Sequence, residues 1–155
     1  MTTKKKAPKA TKKSNTLKVL KLDKTATLPT RTHSTDAGID IYSNVKGRIA
    51  GNTVGTISTG IAIEVPKGYF AKIFDRSGFS INNTLSVKAG VIDSGYRGEI
   101  KIIMANTGPY PLEIDTGTKI AQIVILPVPE FEIKEVKTLS KTKRGEKGFG
   151  SSGSK

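Results

Sequence analysis

Apolar residues come in short runs along the chain, some alternating with polar positions and some continuous, and turn residues separate them. Ile61, Ile63 and Val65 alternate with Ala62 and Glu64, a period of two that predicts a half-buried strand ended by Pro66-Lys67-Gly68. Residues 69–74, 99–104, 119–128 and 131–136 are further β-rich runs. Turns are expected at Gly51-Asn52, Asn106-Thr107-Gly108-Pro109 and Asp115-Thr116-Gly117, residue types that enter tight or left-handed backbone at low cost. No segment sustains a 3.6-residue apolar period over about ten positions, so at most one short helix fits, near residues 78–83. Strands at ~8–12-residue spacing, with 16 Gly and 7 Pro to turn the chain, predict an all-β barrel or jelly-roll-like sandwich. No internal repeat interrupts this pattern, and 155 residues suit one domain with tails.

Charge redraws the ends of that picture. The net charge of +13 first suggests an anionic partner, but its distribution is uneven. Residues 1–13 carry six Lys and no acid, and residues 134–155 carry seven basic groups against Glu135 and Glu146. Residues 14–133 hold 13 basic and 11 acidic groups and are nearly neutral. Residues 1–15 hold almost no large apolar side chain, so they are expected to form a flexible basic arm. That arm reads either as a solubilising tail or as a weak nucleic-acid contact or nuclear-import-type signal.

The composition also excludes chemistry. With no Cys there is no disulfide, thiolate zinc site, iron–sulfur cluster or Cys nucleophile. With His33 alone there is no paired-His metal site, so a metal here is a hard cation on oxygen ligands, magnesium first. No apolar run reaches the ~18–20 residues of a membrane span and no signal-type apolar stretch follows Met1, so a soluble cytoplasmic or nuclear protein is expected.

Four stretches gather groups suited to phosphate chemistry. Ala37-Gly38-Ile39-Asp40 sets a glycine beside a carboxylate, which a plain turn would also explain. Asp75-Arg76-Ser77-Gly78 follows an apolar strand and offers a guanidinium fork, a hydroxyl and close backbone approach, or else a helix N-cap. Residues 90–99, GVIDSGYRGE, read as a β-hairpin whose turn presents Asp93 and Tyr96 together. Gly117-Thr118-Lys119-Ile120-Ala121-Gln122 is a turn leading into a strand that bears an amide. The closing RGEKGFGSSGSK, with four Gly, three Ser and the single large apolar Phe149, can lay several backbone N–H groups against one anion.

In this order the five stretches resemble the motifs of the homotrimeric dUTP pyrophosphatases over residues 16–153; GVIDSGYRGEI and RGEKGFGSSG are the specific ones. The resemblance implies a distorted jelly-roll-like β-barrel that assembles as a homotrimer with shared active sites. It implies that Asp93 activates the attacking water and bonds the deoxyribose 3′-hydroxyl, while Tyr96 packs on the sugar and excludes a 2′-hydroxyl. Uracil would be read by main chain around residues 87–91 and 100–102, giving Gly90, Val91, Ile92 and Lys101 substrate-binding positions. Arg76, Ser77, Gly78 and Gln122 match phosphate-contacting positions, and Asp40 matches a carboxylate near magnesium-bound water. Phe149 would stack on uracil, and Arg144 with Gly150, Ser151 and Ser152 would clamp the γ-phosphate.

The implied organisation is a basic arm (1–15), a barrel (16–138) and a glycine-rich lid (139–155). The implied reaction is magnesium-dependent hydrolysis of dUTP to dUMP and pyrophosphate, limiting uracil in DNA and supplying dUMP for thymidylate synthesis. A dCTP deaminase shares the architecture, and a nucleic-acid-binding module using the arm is the reading from another class. Departures from the pattern are few: Asp75 stands where Pro is common and adds a negative charge beside the phosphates, Thr118 and Gly95 stand where Asp is frequent, and His33 is expected on a loop surface.

Overall fold

The structure is a computed structural model and describes residues 16–81 and 83–146. The chain is organised as β1 (Lys18–Lys21), β2 (Ile39–Tyr42), β3 (Gly47–Ile49), β4 (Thr53–Ser58), β5 (Ile61–Glu64) and β6 (Tyr69–Phe74). A single-turn helix α1 (Ser77–Ser80) follows, then β7 (Leu85–Lys88), β8 (Val91–Ile92), β9 (Lys101–Asn106), β10 (Leu112–Ile114) and β11 (Lys119–Pro127). The strands pair antiparallel in four sheets: β2-β11-β6-β8, β4-β9-β7, β1-β5 and β10-β3. This is the all-β, jelly-roll-like architecture expected from the strand spacing, with one short helix.

One isoleucine-rich core joins the sheets. Ile41, Ile61, Ile100, Ile102, Ile120 and Ile123 are among its fully buried side chains. β-branched side chains suit pleated backbone and pack densely there. The buried Asn106 spends its whole amide on the chain: Nδ2 donates to the backbone oxygens of Ile49 and Tyr110, and Oδ1 accepts from Thr84 and Gly108. Complete pairing removes most of the cost of burying a polar group. It also fixes the predicted turn at residues 106–109.

Four expectations need correction. Residues 131–136 form no strand: among the described residues no strand pairs with this β-rich run, and Phe131 and Ile133 stand 82% and 99% exposed. Residues 90–99 are not a simple hairpin, because Ala89 (φ 56°) and Gly90 (φ 92°) turn the chain out of the β7–β9 pairing. β8 pairs with β6 instead. The helix starts at Ser77, one residue before the expected segment, with Arg76 at its N-cap and no side-chain cap. Finally, β5 is more than half buried: Ile61, Ala62 and Ile63 are all buried, Ala62 included, where it pairs opposite Leu20 of β1.

Candidate active site

Register alone assembles the first cluster. Gln122 of β11 lies opposite Asp40 of β2 on one side and opposite Phe74 of β6 on the other. The three therefore form one row across the sheet, and Asp75-Arg76 continue from its end. Arg76 Nε donates to Asp40 Oδ1 at 2.7 Å, Lys119 Nζ lies 2.8 Å from Oδ2, and Arg76 Nη1 donates to the Lys119 backbone oxygen at 3.1 Å. Burial of Asp40 pushes its pKa up, but hydrogen bonds from Lys119 and Arg76, together with their charges, outweigh it and hold the carboxyl below its ordinary value. Gln122 Nε2 donates to the Asp75 backbone oxygen at 2.7 Å. Gly38 leaves room for that amide, since a Cβ there would lie 1.9 Å from Gln122 Oε1.

The second cluster surrounds a cavity of about 500 Å³ lined by Val91, Ile92, Asp93, Tyr96, Glu99 and Lys101, with Thr56 and Ile103. The Tyr96 N–H donates to the Asp93 backbone oxygen at 3.1 Å, closing the turn that keeps the two residues together. The Tyr96 hydroxyl donates to the Glu99 backbone oxygen at 3.0 Å. Gly98 leaves space for that hydroxyl, because a Cβ there would stand 2.4 Å from it. Glu99 anchors the far end of the loop by accepting from the Ser58 hydroxyl and from the Gly60 N–H. Its burial raises the pKa, and these bonds with nearby Lys101 more than reverse the shift. Gly90 meets β6 closely, its oxygen accepting from the Ile73 N–H at 2.8 Å.

A family model for dUTPase matches residues 24–153. The chain belongs to the dUTPase family. The deoxyuridine 5'-triphosphate nucleotidohydrolase of Clostridium tetani is 44% identical over 140 residues, covering 89% of this chain and 97% of that protein. The one from Gloeothece citriformis is 44% identical over 139 residues, covering 88% and 96%. Among solved structures, a mutant dUTPase of Staphylococcus bacteriophage 80alpha with dUpNHpp superposes with a TM-score of 0.84 at 34% identity, covering 90% of this chain and 99% of that one. A mutant dUTPase of phage phi11, described with a coordinated structural Mg(II) ion, gives a TM-score of 0.76 at 31% identity, covering 80% and 98%.

In this dUTPase, Asp40, Arg76 and Gln122 therefore meet in the first cluster, while Ser77 and Gly78 sit exposed on α1 immediately after Arg76. Val91, Ile92, Asp93, Tyr96 and Lys101 gather at the cavity, with Gly90 at the corner before it. Arg144 is exposed on the segment after β11 and does not line that cavity. Phe149, Gly150, Ser151 and Ser152, like the basic arm, lie outside the described residues. His33 is exposed in its loop, where its N–H donates to Asp36.

Two contributors escaped the sequence reading. Lys119 is three positions before Gln122, which in a regular strand points it to the opposite face. A bulge between Lys119 and Ala121 shifts the register, so Lys119 pairs with Tyr42 and Gln122 with Asp40, on one face. Glu99 reads as the polar end of a strand beside Lys101, and the chain reversal at Ser58–Gly60 adds the hydrogen-bond donors that hold its carboxylate. Among the described residues no three His, Asp or Glu side chains form a metal-ligand group, and no helix is long and apolar enough to cross a membrane.

Proposed function

We propose that this chain hydrolyses dUTP to dUMP and pyrophosphate by attack of water on the α-phosphorus. The observation that carries the reading is the cavity in which an exposed Asp93 carboxylate and the Tyr96 ring stand beside the β8 and β9 backbones. Asp93 takes the proton of the attacking water as its oxygen bonds to phosphorus, and pyrophosphate leaves in line. His33, the only imidazole, does not line the cavity and is given no part in this step. Tyr96 packs on the deoxyribose and rejects a 2′-hydroxyl. The backbones of Gly90, Val91, Ile92 and Lys101 read uracil, since strand N–H and C=O groups offer it a donor and an acceptor. Cytosine reverses that pattern and leaves groups unpaired, at about 1–3 kcal/mol each.

Arg76, Ser77, Gly78 and Gln122 bind the phosphates. Both oxygens of Asp40 already hold a cation, so Asp40 fits a magnesium ion only through its bound water. Magnesium accompanying the triphosphate would supply neutralisation of charge on it. Residues 16–138 act as the barrel and 139–155 as the lid, with Arg144, Gly150, Ser151 and Ser152 on the γ-phosphate and Phe149 on the base. Self-association into a homotrimer belongs to the same reading. The exposure of Phe131 and Ile133 supports it, because one chain leaves these strand-patterned side chains in water.

The test is a screen of the common ribo- and deoxynucleoside triphosphates for pyrophosphate and monophosphate release, with and without magnesium. Pyrophosphate and dUMP from dUTP alone are expected. Ammonia from dCTP would overturn the reading in favour of a deaminase.

A further inference from the structure

Asp75 stands where two sheets part company. β6 pairs with β8 at Ala71–Ile92 and Lys72–Val91, and the Ile73 N–H reaches the Gly90 oxygen. Beyond that point the partner backbone belongs to β7, which pairs with β9 in the other sheet. Asp75 spans the gap with its side chain, Oδ1 accepting the N–H of Val87 at 2.6 Å. A carboxylate thus continues a ladder that the backbone has left, and a charge-assisted bond of this length is among the stronger kinds. The backbone oxygen of the same residue accepts Gln122 Nε2 at 2.7 Å, and the next residue is Arg76, paired with Asp40. One residue therefore touches the phosphate-binding cluster through its main chain and the base-reading strands through its side chain.

We propose that Asp75 is a positioning residue that sets the spacing between the phosphate cluster and the β7–β9 strands, so that a single nucleotide spans both. The inference rests on the dUTP reading above. The sequence placed the Asp75 charge beside the phosphates, where it would only repel them; a carboxylate committed to a backbone N–H instead serves the substrate by geometry. The two ideas differ in sign. Loss of a repulsive charge tightens every phosphate ligand, whereas loss of the tie weakens only a ligand that must reach both ends.

Wild type, Asp75→Ala and Asp75→Asn are compared by steady-state kinetics on dUTP and by inhibition with pyrophosphate, a probe of the phosphate end alone. Asp75 is exposed, so both variants should fold, which matching circular-dichroism spectra check before the kinetics. Asp75→Ala should raise KM for dUTP at least about fivefold with kcat changed less than about twofold, while inhibition by pyrophosphate stays within about twofold. Asp75→Asn keeps an acceptor oxygen and should remain within about twofold of wild type in KM. Tighter pyrophosphate inhibition in both variants, an unchanged KM in Asp75→Ala, or equal losses in Ala and Asn each overturn the proposal. A wild-type chain without dUTP turnover sinks the underlying functional reading; normal wild-type turnover with any of those variant results sinks the positioning role alone.

Discussion

Arg76 Nε lies 2.7 Å from Asp40 Oδ1, joining β2 to the loop that opens α1 across 36 positions of sequence. With Lys119 on the other oxygen, the carboxylate holds two cations in a partly buried setting, its side chain only 13% exposed. Replacing one member of such a group strands the charges that remain. Asp40→Asn should therefore lower unfolding free energy near neutral pH by about 1–3 kcal/mol. Because the folded pKa lies below the ordinary 3.8, this stability is present above that value and is lost as pH falls through the folded pKa. Urea unfolding across pH 7 to 3 should show wild type and variant converging at the acid end. A gap that stays constant would contradict the assignment.

Asp93→Asn keeps the shape of the cavity wall and removes the base. Turnover of dUTP should drop by about 10²–10⁴ while KM changes little. Retention of a rate within about threefold of wild type would transfer the role to another group.

Gly38→Ala should act on Gln122 without touching the substrate itself. The added methyl falls on the Gln122 amide oxygen, and the far end of that side chain can swing away, so the fold survives. The swing breaks the bond to the Asp75 oxygen and removes one phosphate-side donor. We expect a thermal midpoint within a few degrees of wild type and a rise in KM for dUTP of about tenfold, matching one lost hydrogen bond to a charged group. Equal KM values would show that Gln122 is not needed where it stands.

Truncation after Ser140 removes Arg144, Phe149 and the glycine-serine run while leaving β1 to β11 intact. The shortened chain should keep its circular-dichroism spectrum and its oligomeric mass and lose nearly all activity. Full activity in the truncated chain would dismiss the lid.

Legibility in the sequence followed burial. The runs that became β5, β6, β9 and β11 are apolar enough to be seen, and their ends fell within two residues of the expectation. β1 and β4 each have three exposed positions, and β7 is four residues long with only Leu85 buried, so their pattern is diluted and only pairing reveals them. Asp40, Arg76 and Gln122 were legible as types of group, but their meeting depends on the cross-strand row. Lys119 stayed hidden because a bulge breaks the period on which strand reading relies. Residues 131–136 show the converse failure: a good strand pattern cannot declare whether its own chain supplies the partner.

The pairing of β2 with β11 also dictates when the phosphate cluster can exist. Among the described strands β2 pairs with β11, its other edge carrying a single bridge from Thr30 to Asp40, and β6 meets β2 through β11. As the chain emerges during synthesis, Asp40 and Arg76 come out early, yet nothing aligns them until residues 119–127 arrive. Closing loops of that length is slow, so this sheet forms late and all at once. A nascent chain of about 110 residues can own every strand of the β4-β9-β7 sheet and still have no place to hold a phosphate.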